Sequence, residues 1–175
     1  MADKKVAWAI TGAGHELEPC VDLILEHEKI DLYLSRAAEE VLRIYKLYER
    51  LQSREGPIYP EVHASSPLVG RLFGGTYSVL VIAPTSSNSV AKFVCGISDT
   101  LVTNLFAQAG KAGVPAIVYP TDIVAEMDSV GPHGERIKVY PRDIDLKNTE
   151  KLRAFSGVSV VSNREELEQC LDAYL

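Results

Sequence analysis

The chain has 175 residues, 46% of them hydrophobic and 24% charged, which is enough for a full core and excludes intrinsic disorder. With 18 Lys+Arg against 24 Asp+Glu its formal charge is −6, which argues against nucleic acid as the main partner, because phosphate backbones need a basic surface. The length suits one domain over residues 1–175, and no apolar run approaches the ~20 residues of a membrane span.

In chain order, residues 6–10 form a short apolar run that ends at Thr11-Gly12-Ala13-Gly14, the pattern of a buried strand and its exit turn. Residues 15–29 have helical spacing, with Pro19 placed for the first turn. Residues 30–34 read as a second strand and residues 35–51 as one amphipathic helix. Residues 52–67, rich in Pro, Gly, Ser and charge, read as a long surface loop. Residues 79–83 are apolar without alternation, which implies a strand buried on both faces. Pro84 and the polar run Thr85–Ser89 end that strand and open a helix to about residue 94. Ser98 is placed to cap a helix over 99–111, and residues 116–119 form the next strand. Residues 120–136 read as a second long loop, 137–140 as a short strand or extended arm, 148–155 as a helix and 158–161 as a strand. Ser162-Asn163-Arg164-Glu165 has the form of a capping box for a terminal helix.

Strands alternating with helices at this spacing predict an α/β fold: a three-layer, doubly wound parallel sheet of Rossmann-like or flavodoxin-like type. Ligands of such sheets sit beyond the carboxyl ends of the strands, where the winding reverses. Four exit loops carry suggestive residues: Thr11 through His15, Ser35-Arg36, Thr85 through Ser89, and Tyr119 through Asp122. Glycines at 12 and 14 permit close backbone approach, and the hydroxyls and amide at 85–89 supply donors without bulk. Helix N-termini at three of the loops favour an anion, so the set suits a phosphate with a polyol tail. No GxGxxG, P-loop or Gly-x-Ser-x-Gly run is present, and no histidine pair has metal spacing. Plain helix capping by Ser35 and Ser98, and a tight turn at Gly12 and Gly14, explain the same residues without a ligand. Cys20, Cys95 and Cys170 stand 75 residues apart, an odd and sparse set that reads as buried thiols in a reducing, cytoplasmic setting.

The run Val81-Ile82-Ala83-Pro84-Thr85-Ser86-Ser87-Asn88-Ser89-Val90-Ala91-Lys92, followed by Gly96-Ile97-Ser98-Asp99-Thr100-Leu101, resembles the signature of the FMN-binding flavoprotein superfamily. That group includes cysteine decarboxylases, flavin prenyltransferases and dihydromethanopterin reductases. Ile10 through Gly14 and Leu34-Ser35-Arg36-Ala37-Ala38 resemble its first and second FMN loops, and within the group the chain is most similar to the archaeoflavoproteins. The resemblance implies that Gly12, Ala13 and Gly14 line the phosphate and ribityl chain and that Ser35 bonds the phosphate. Ser86, Ser87, Asn88 and Ser89 then contact the flavin and its tail, and Thr121 lies beside it. Thr11 and Ser98, within the same motifs, complete the set, while His15 has no assigned equivalent.

The resemblance further implies FMN as cofactor, a homotrimer or a multiple of trimers, and an electron-transfer role. Electrons come from a separate donor such as ferredoxin and pass to an acceptor such as a pterin. Apolar Tyr59, Val62, Leu68, Ile123, Val124 and Met127 in the long loops suit either a subunit interface or packing onto the same chain. Lys147, Lys151 and Arg153 form the local patch needed to offset the acidic total toward an acidic donor. The alternative is a cysteine decarboxylase or prenyltransferase. Against it, the decarboxylase histidine falls by spacing at Gly70, with His63 seven residues upstream. The Met-Asn pair of the decarboxylases is absent after Pro120, and Thr121 stands where prenyltransferases carry arginine.

Overall fold

The computed structural model describes residues 4–63 and 67–175. Six strands are parallel: β1 (Lys5–Ile10), β2 (Ile30–Leu34), β3 (Ile58–Pro60), β4 (Tyr77–Thr85), β5 (Ala116–Pro120) and, after a hairpin, β8 (Val158–Val160); β1, β4 and β5 are mostly apolar runs buried on both faces. Their order is β3-β2-β1-β4-β5-β8, so the winding reverses between β1 and β4. The expected doubly wound α/β fold is therefore present.

Two cores flank the sheet, and the period-two alternation of strand side chains sorts residues between them. Val6, Trp8 and Ile10 face α1 (Leu17–Leu25) and α2 (Arg36–Ile44), with α7 (Arg164–Asp172) contributing Leu167 and Leu171. Ala7 and Ala9 face the other layer, which holds Val90 and Phe93 of α4 (Ser87–Cys95), Leu105 of α5 (Leu101–Ala112) and Leu152 of α6 (Asp143–Arg153). At the amino-terminal edge the fully buried Asp31 carboxylate accepts from Lys5 Nζ at 2.9 Å and Tyr77 OH at 2.8 Å, and pairs with Arg71 Nη2 at 3.3 Å. A buried carboxylate persists only when paired and hydrogen-bonded, and these partners tie β1, β2 and β4 to the 3-10 turn Pro67–Leu72.

Several elements depart from expectation. The helix expected over 35–51 is two, because Lys46 adopts φ +58° and Leu47 N–H turns back to the Leu42 carbonyl at 2.8 Å. The turn buries Leu47 and starts α3 (Tyr48–Gln52), which buries Leu51. The helix expected over 15–29 spans only Leu17–Leu25, after a left-handed Glu16. The loop expected over 52–67 contains β3, an edge strand where Pro60 costs no ladder bond on its outer side. Tyr59 and Leu68 from that region pack on the second core, and Tyr59 stacks on Tyr33, so these two are intramolecular. Pro84 does not end β4, which runs on to Thr85 through a cis Ala83–Pro84 bond.

The helix expected from Asp99 begins two residues later. Thr100 caps it by exchanging bonds with Thr103, whereas the Ser98 carbonyl accepts from Asn104 Nδ2. The loop expected over 120–136 carries β6 (Met127–Val130), which pairs antiparallel with β7 (Arg136–Val139) as a hairpin. The helix expected from 148 starts at Asp143, where the Asp145 carboxylate accepts from Arg142 and is held below the usual carboxylate range by it. The terminal cap is Asn163 with Glu166, one residue beyond the expected pair. Cys20 is buried, which pushes its thiol up, but Cys95 is exposed and Cys170 only half-buried, against expectation.

Past the last β1–β4 rungs the two strands are joined by a side chain. The Thr11 hydroxyl donates to the Pro84 carbonyl at 3.0 Å and accepts from Ser86 N–H at 2.8 Å, in a place 2% exposed. Thr11→Val orphans the half-buried Ser86 amide and leaves the buried Pro84 carbonyl only the residue-11 N–H, at 3.3 Å. We expect it to lower unfolding free energy by about 1–3 kcal/mol, read as an earlier midpoint in urea; an unchanged midpoint contradicts the role.

Candidate functional site

At the β1–β4 reversal lies a cavity of about 540 Å³, within the range of small-molecule sites. Three exit segments build it: Thr11 and Gly12 after β1, Ser35 through Ala37 after β2, and Ser86, Asn88 and Ser89 after β4. Glu61, Lys92, Asp99, Thr100 and Val102 complete the wall. Three helices start there. Ser35 caps α2, its Oγ accepting from Ala38 N–H at 3.0 Å. Ser86 caps α4, its Oγ accepting from Ser89 N–H at 3.4 Å, and Thr100 caps α5. First-turn amides left over by such caps, with the helix dipole behind them, favour an anion.

Gly12 owes its identity partly to packing. A Cβ there would stand 2.6 Å from the Ala37 Cβ, so only glycine lets the β1 exit loop meet the start of α2. A Cβ on Gly14 would likewise strike the Tyr45 hydroxyl at 2.5 Å.

The charged side chains of the cavity are all engaged, Lys92 and Asp99 as an ion pair, Glu61 and the Arg36 guanidinium with backbone. Lys92 Nζ donates to both Asp99 oxygens, at 2.8 and 2.9 Å, which holds the Asp99 carboxyl below its usual range. Arg36 N–H donates to Glu61 Oε2 at 3.2 Å, and Arg36 Nη2 to the Val62 carbonyl at 3.2 Å.

Of the residues expected from sequence, the cavity gathers Thr11, Gly12, Ser35, Ser86, Asn88 and Ser89. Ser87 stands in the first turn of α4 and Ser98 is exposed before α5, neither on the cavity wall. Ala13, within the β1 exit loop, is buried. Gly14 faces a second cleft of about 460 Å³ with His15, Tyr45 and the β6–β7 hairpin. His15 Nδ1 lies 3.1 Å from Ser129 Oγ, and Tyr45 OH donates to the Val130 carbonyl at 3.2 Å. Thr121 lines a third cleft, of about 360 Å³, with its hydroxyl on the Thr85 carbonyl at 3.4 Å.

Sequence reading missed Glu61 because only the pairing of β3 brings it to the site. Arg36 was named in the Ser35-Arg36 exit loop without a role, and Lys92 and Thr100 were left out although both stand in the quoted motifs. Among the described residues no His/Cys/Asp/Glu group is arranged to hold a metal, and no helix is long and apolar enough to cross a membrane.

Among curated relatives, an uncharacterized protein of Methanocaldococcus jannaschii is 36% identical over 174 residues, 95% of this chain and 94% of the relative. A dihydromethanopterin reductase (acceptor) of Methanosarcina mazei is 40% identical over 160 residues, 84% of this chain, and the chain spans 63% of that reductase. Among solved structures, Burkholderia xenovorans DmrB in complex with FMN, described as a cubic protein cage for redox transfer, matches with a TM-score of 0.87. It is 40% identical and covers 98% of this chain and 95% of its own. A family model described as Flavoprotein matches residues 1–173, and the chain belongs to that family.

Proposed function

We propose that the chain is one FMN-binding domain over residues 1–175 and works as a cytoplasmic electron-transfer flavoprotein. It takes electrons from a separate donor such as ferredoxin and passes them to an acceptor of the pterin class. The observation that carries this is the convergence of three helix N-termini on one cavity between β1 and β4.

The donor set fits the cofactor. Amides of α2 and α4, with the Ser35 and Ser89 hydroxyls, would hold the phosphate. Gly12, Ser86 and Asn88 would face the polyol chain, and Ala37 and Val102 supply apolar wall for a ring. Ala13, Gly14, Ser87, Ser98 and Thr121 would touch the flavin only where it reaches past this cavity. The Thr11 hydroxyl, spent on Pro84 and Ser86, positions the β4 exit loop and is no ligand donor. FMN, when bound, supplies one- and two-electron redox chemistry that no side chain here offers. What the chain must do is hold the phosphate, exclude water from one face and leave a ring edge accessible.

Decarboxylation and prenyl transfer are less well served. Gly70 sits on the 3-10 turn without a side chain, and His63 is exposed and is not on the cavity wall. The Thr121 hydroxyl is engaged with backbone. A homotrimer, or an assembly of trimers, is supported by the exposed apolar residues Val62, Val124, Val130, Ile137 and Tyr140. Donor docking is supported by Lys147, Lys151 and Arg153, which stand exposed on α6.

Three outcomes test the reading. Purified protein should be yellow, or become so on FMN titration; a chain that binds none overturns it. Light scattering of the flavin-loaded protein should give a trimer or a multiple of three, and a monomer ends the assembly proposal. Under anaerobic conditions reduced ferredoxin, NADH or NADPH should bleach the visible flavin band. Turnover of a cysteine peptide or prenyl phosphate without such bleaching would reverse the assignment.

A further inference from the structure

The cavity carries its own anions. The first amide of α2, that of Arg36, is the kind of free helix-terminal donor that binds a phosphate oxygen, yet it already donates to Glu61 Oε2 at 3.2 Å. Glu61 is fixed at the carboxyl end of β2, because its own N–H donates to the Leu34 carbonyl at 2.9 Å. The next residue is held as well, with the Val62 carbonyl on the Arg36 guanidinium. The β2–β3 pairing and the bonds from residue 36 to Glu61 and Val62 thus hold this carboxylate on the cavity wall. The second cation, Lys92, is covered by Asp99. Arg36 and Lys92 against Glu61 and Asp99 sum to zero, so an arriving phosphate meets a neutral wall. The Lys92–Asp99 pair is hydrated and leaves Lys92 free to turn at little cost. Glu61 is different, because it sits on the amide itself.

We propose that Glu61 is a built-in competitor for the phosphate of the flavin. Its carboxylate holds the α2 amide until a phosphate oxygen displaces it, and so it sets how strongly the protein prefers phosphorylated over unphosphorylated flavin. This rests on the FMN reading above. The sign follows from which ligand contests the amide. FMN must expel a carboxylate and then tolerate it nearby, whereas riboflavin leaves the Arg36–Glu61 contact in place. Removing the charge therefore strengthens FMN binding alone.

Equilibrium dialysis of the purified protein against FMN and, separately, riboflavin, at low and high salt, tests this. Glu61→Gln keeps the size and an acceptor oxygen; Glu61→Ala gives the same readout should the glutamine variant misfold. We expect FMN to bind roughly two- to ten-fold more tightly to either variant, the scale of charge effects at a helix end. Riboflavin affinity should be unchanged, and the FMN gain should shrink as salt screens the charge. FMN affinity that is unchanged or weaker in both variants overturns the proposal while leaving the flavin reading intact. An equal rise for both flavins overturns it too, since the effect would then be one of cavity shape. A wild-type chain that binds neither flavin overturns both.

Discussion

One hydroxyl holds together the place where the sheet changes direction. Where the winding reverses, the exit loops of two adjacent, paired strands run to opposite faces of the sheet and leave a crevice, so the ladder alone does not fix what lies beyond the strand ends. Here Thr11 bridges the gap, with its hydroxyl donating to the Pro84 carbonyl and accepting from Ser86 N–H, while its own N–H also reaches Pro84 at 3.3 Å. Ser86 is the cap of α4, so the same bridge that ties β1 to β4 sets where that helix begins and where its free amides point. A donor aimed by a buried, fully used side chain has little freedom to wander, which is what recognition of a small anion requires.

The neighbouring contacts depend on that anchor. With β1 and its exit loop fixed, Gly12 lets α2 close to a distance that no Cβ would permit, and this brings the Ser35 cap beside the Ser86 cap. At the opposite edge of the sheet, Asp31 and its ring of Lys5, Arg71 and Tyr77 does comparable work for the amino-terminal ends. Tyr77 is buried with its hydroxyl also 2.6 Å from that of Tyr33, and burial pushes its titration far up, so it stays a neutral donor to Asp31. The strands are thus pinned at both ends.

Long-range pairing decided what could be read from sequence. β1, β2 and β5 were legible because both of their faces are buried and the chain is mostly apolar there, Asp31 being the exception within β2. β3 was not, since Ile58-Tyr59-Pro60 is three residues among charges and becomes a strand only by lying beside β2. The hairpin was half visible: Ile137 gave a strand signal, but Met127-Asp128-Ser129-Val130 mixes polar and apolar residues and depends on its partner. Helix ends failed where a non-glycine residue, Lys46 or Glu16, takes a left-handed turn, or where Thr100 rather than Ser98 supplies the cap. At the site, the motif residues Ser35, Ser86, Asn88 and Ser89 were legible as donors without bulk. Glu61 was not, because its relevance is created by a fold-level contact 25 residues away from Arg36.

The β1 exit loop serves two places at once, and this constrains how they can change. Thr11 and Gly12 face the anion cavity, whereas Gly14, His15 and Glu16 face the cleft beneath the hairpin. A two-stranded hairpin is marginal in water by itself. Val130 and Ile137 on this one are exposed at 56% and 41%, so its position leans on His15 with Ser129 and on Tyr45 with Val130. Tyr45 also closes over Gly14, which places the hairpin, the carboxyl end of α2 and the β1 loop in one contact chain. Anything that packs on the hairpin, whether a ligand in the cleft or a second subunit on its apolar face, therefore bears on the same short loop that shapes the anion cavity. The rigidity of Thr11 at one end of that loop sets how much of such a load can reach the cavity.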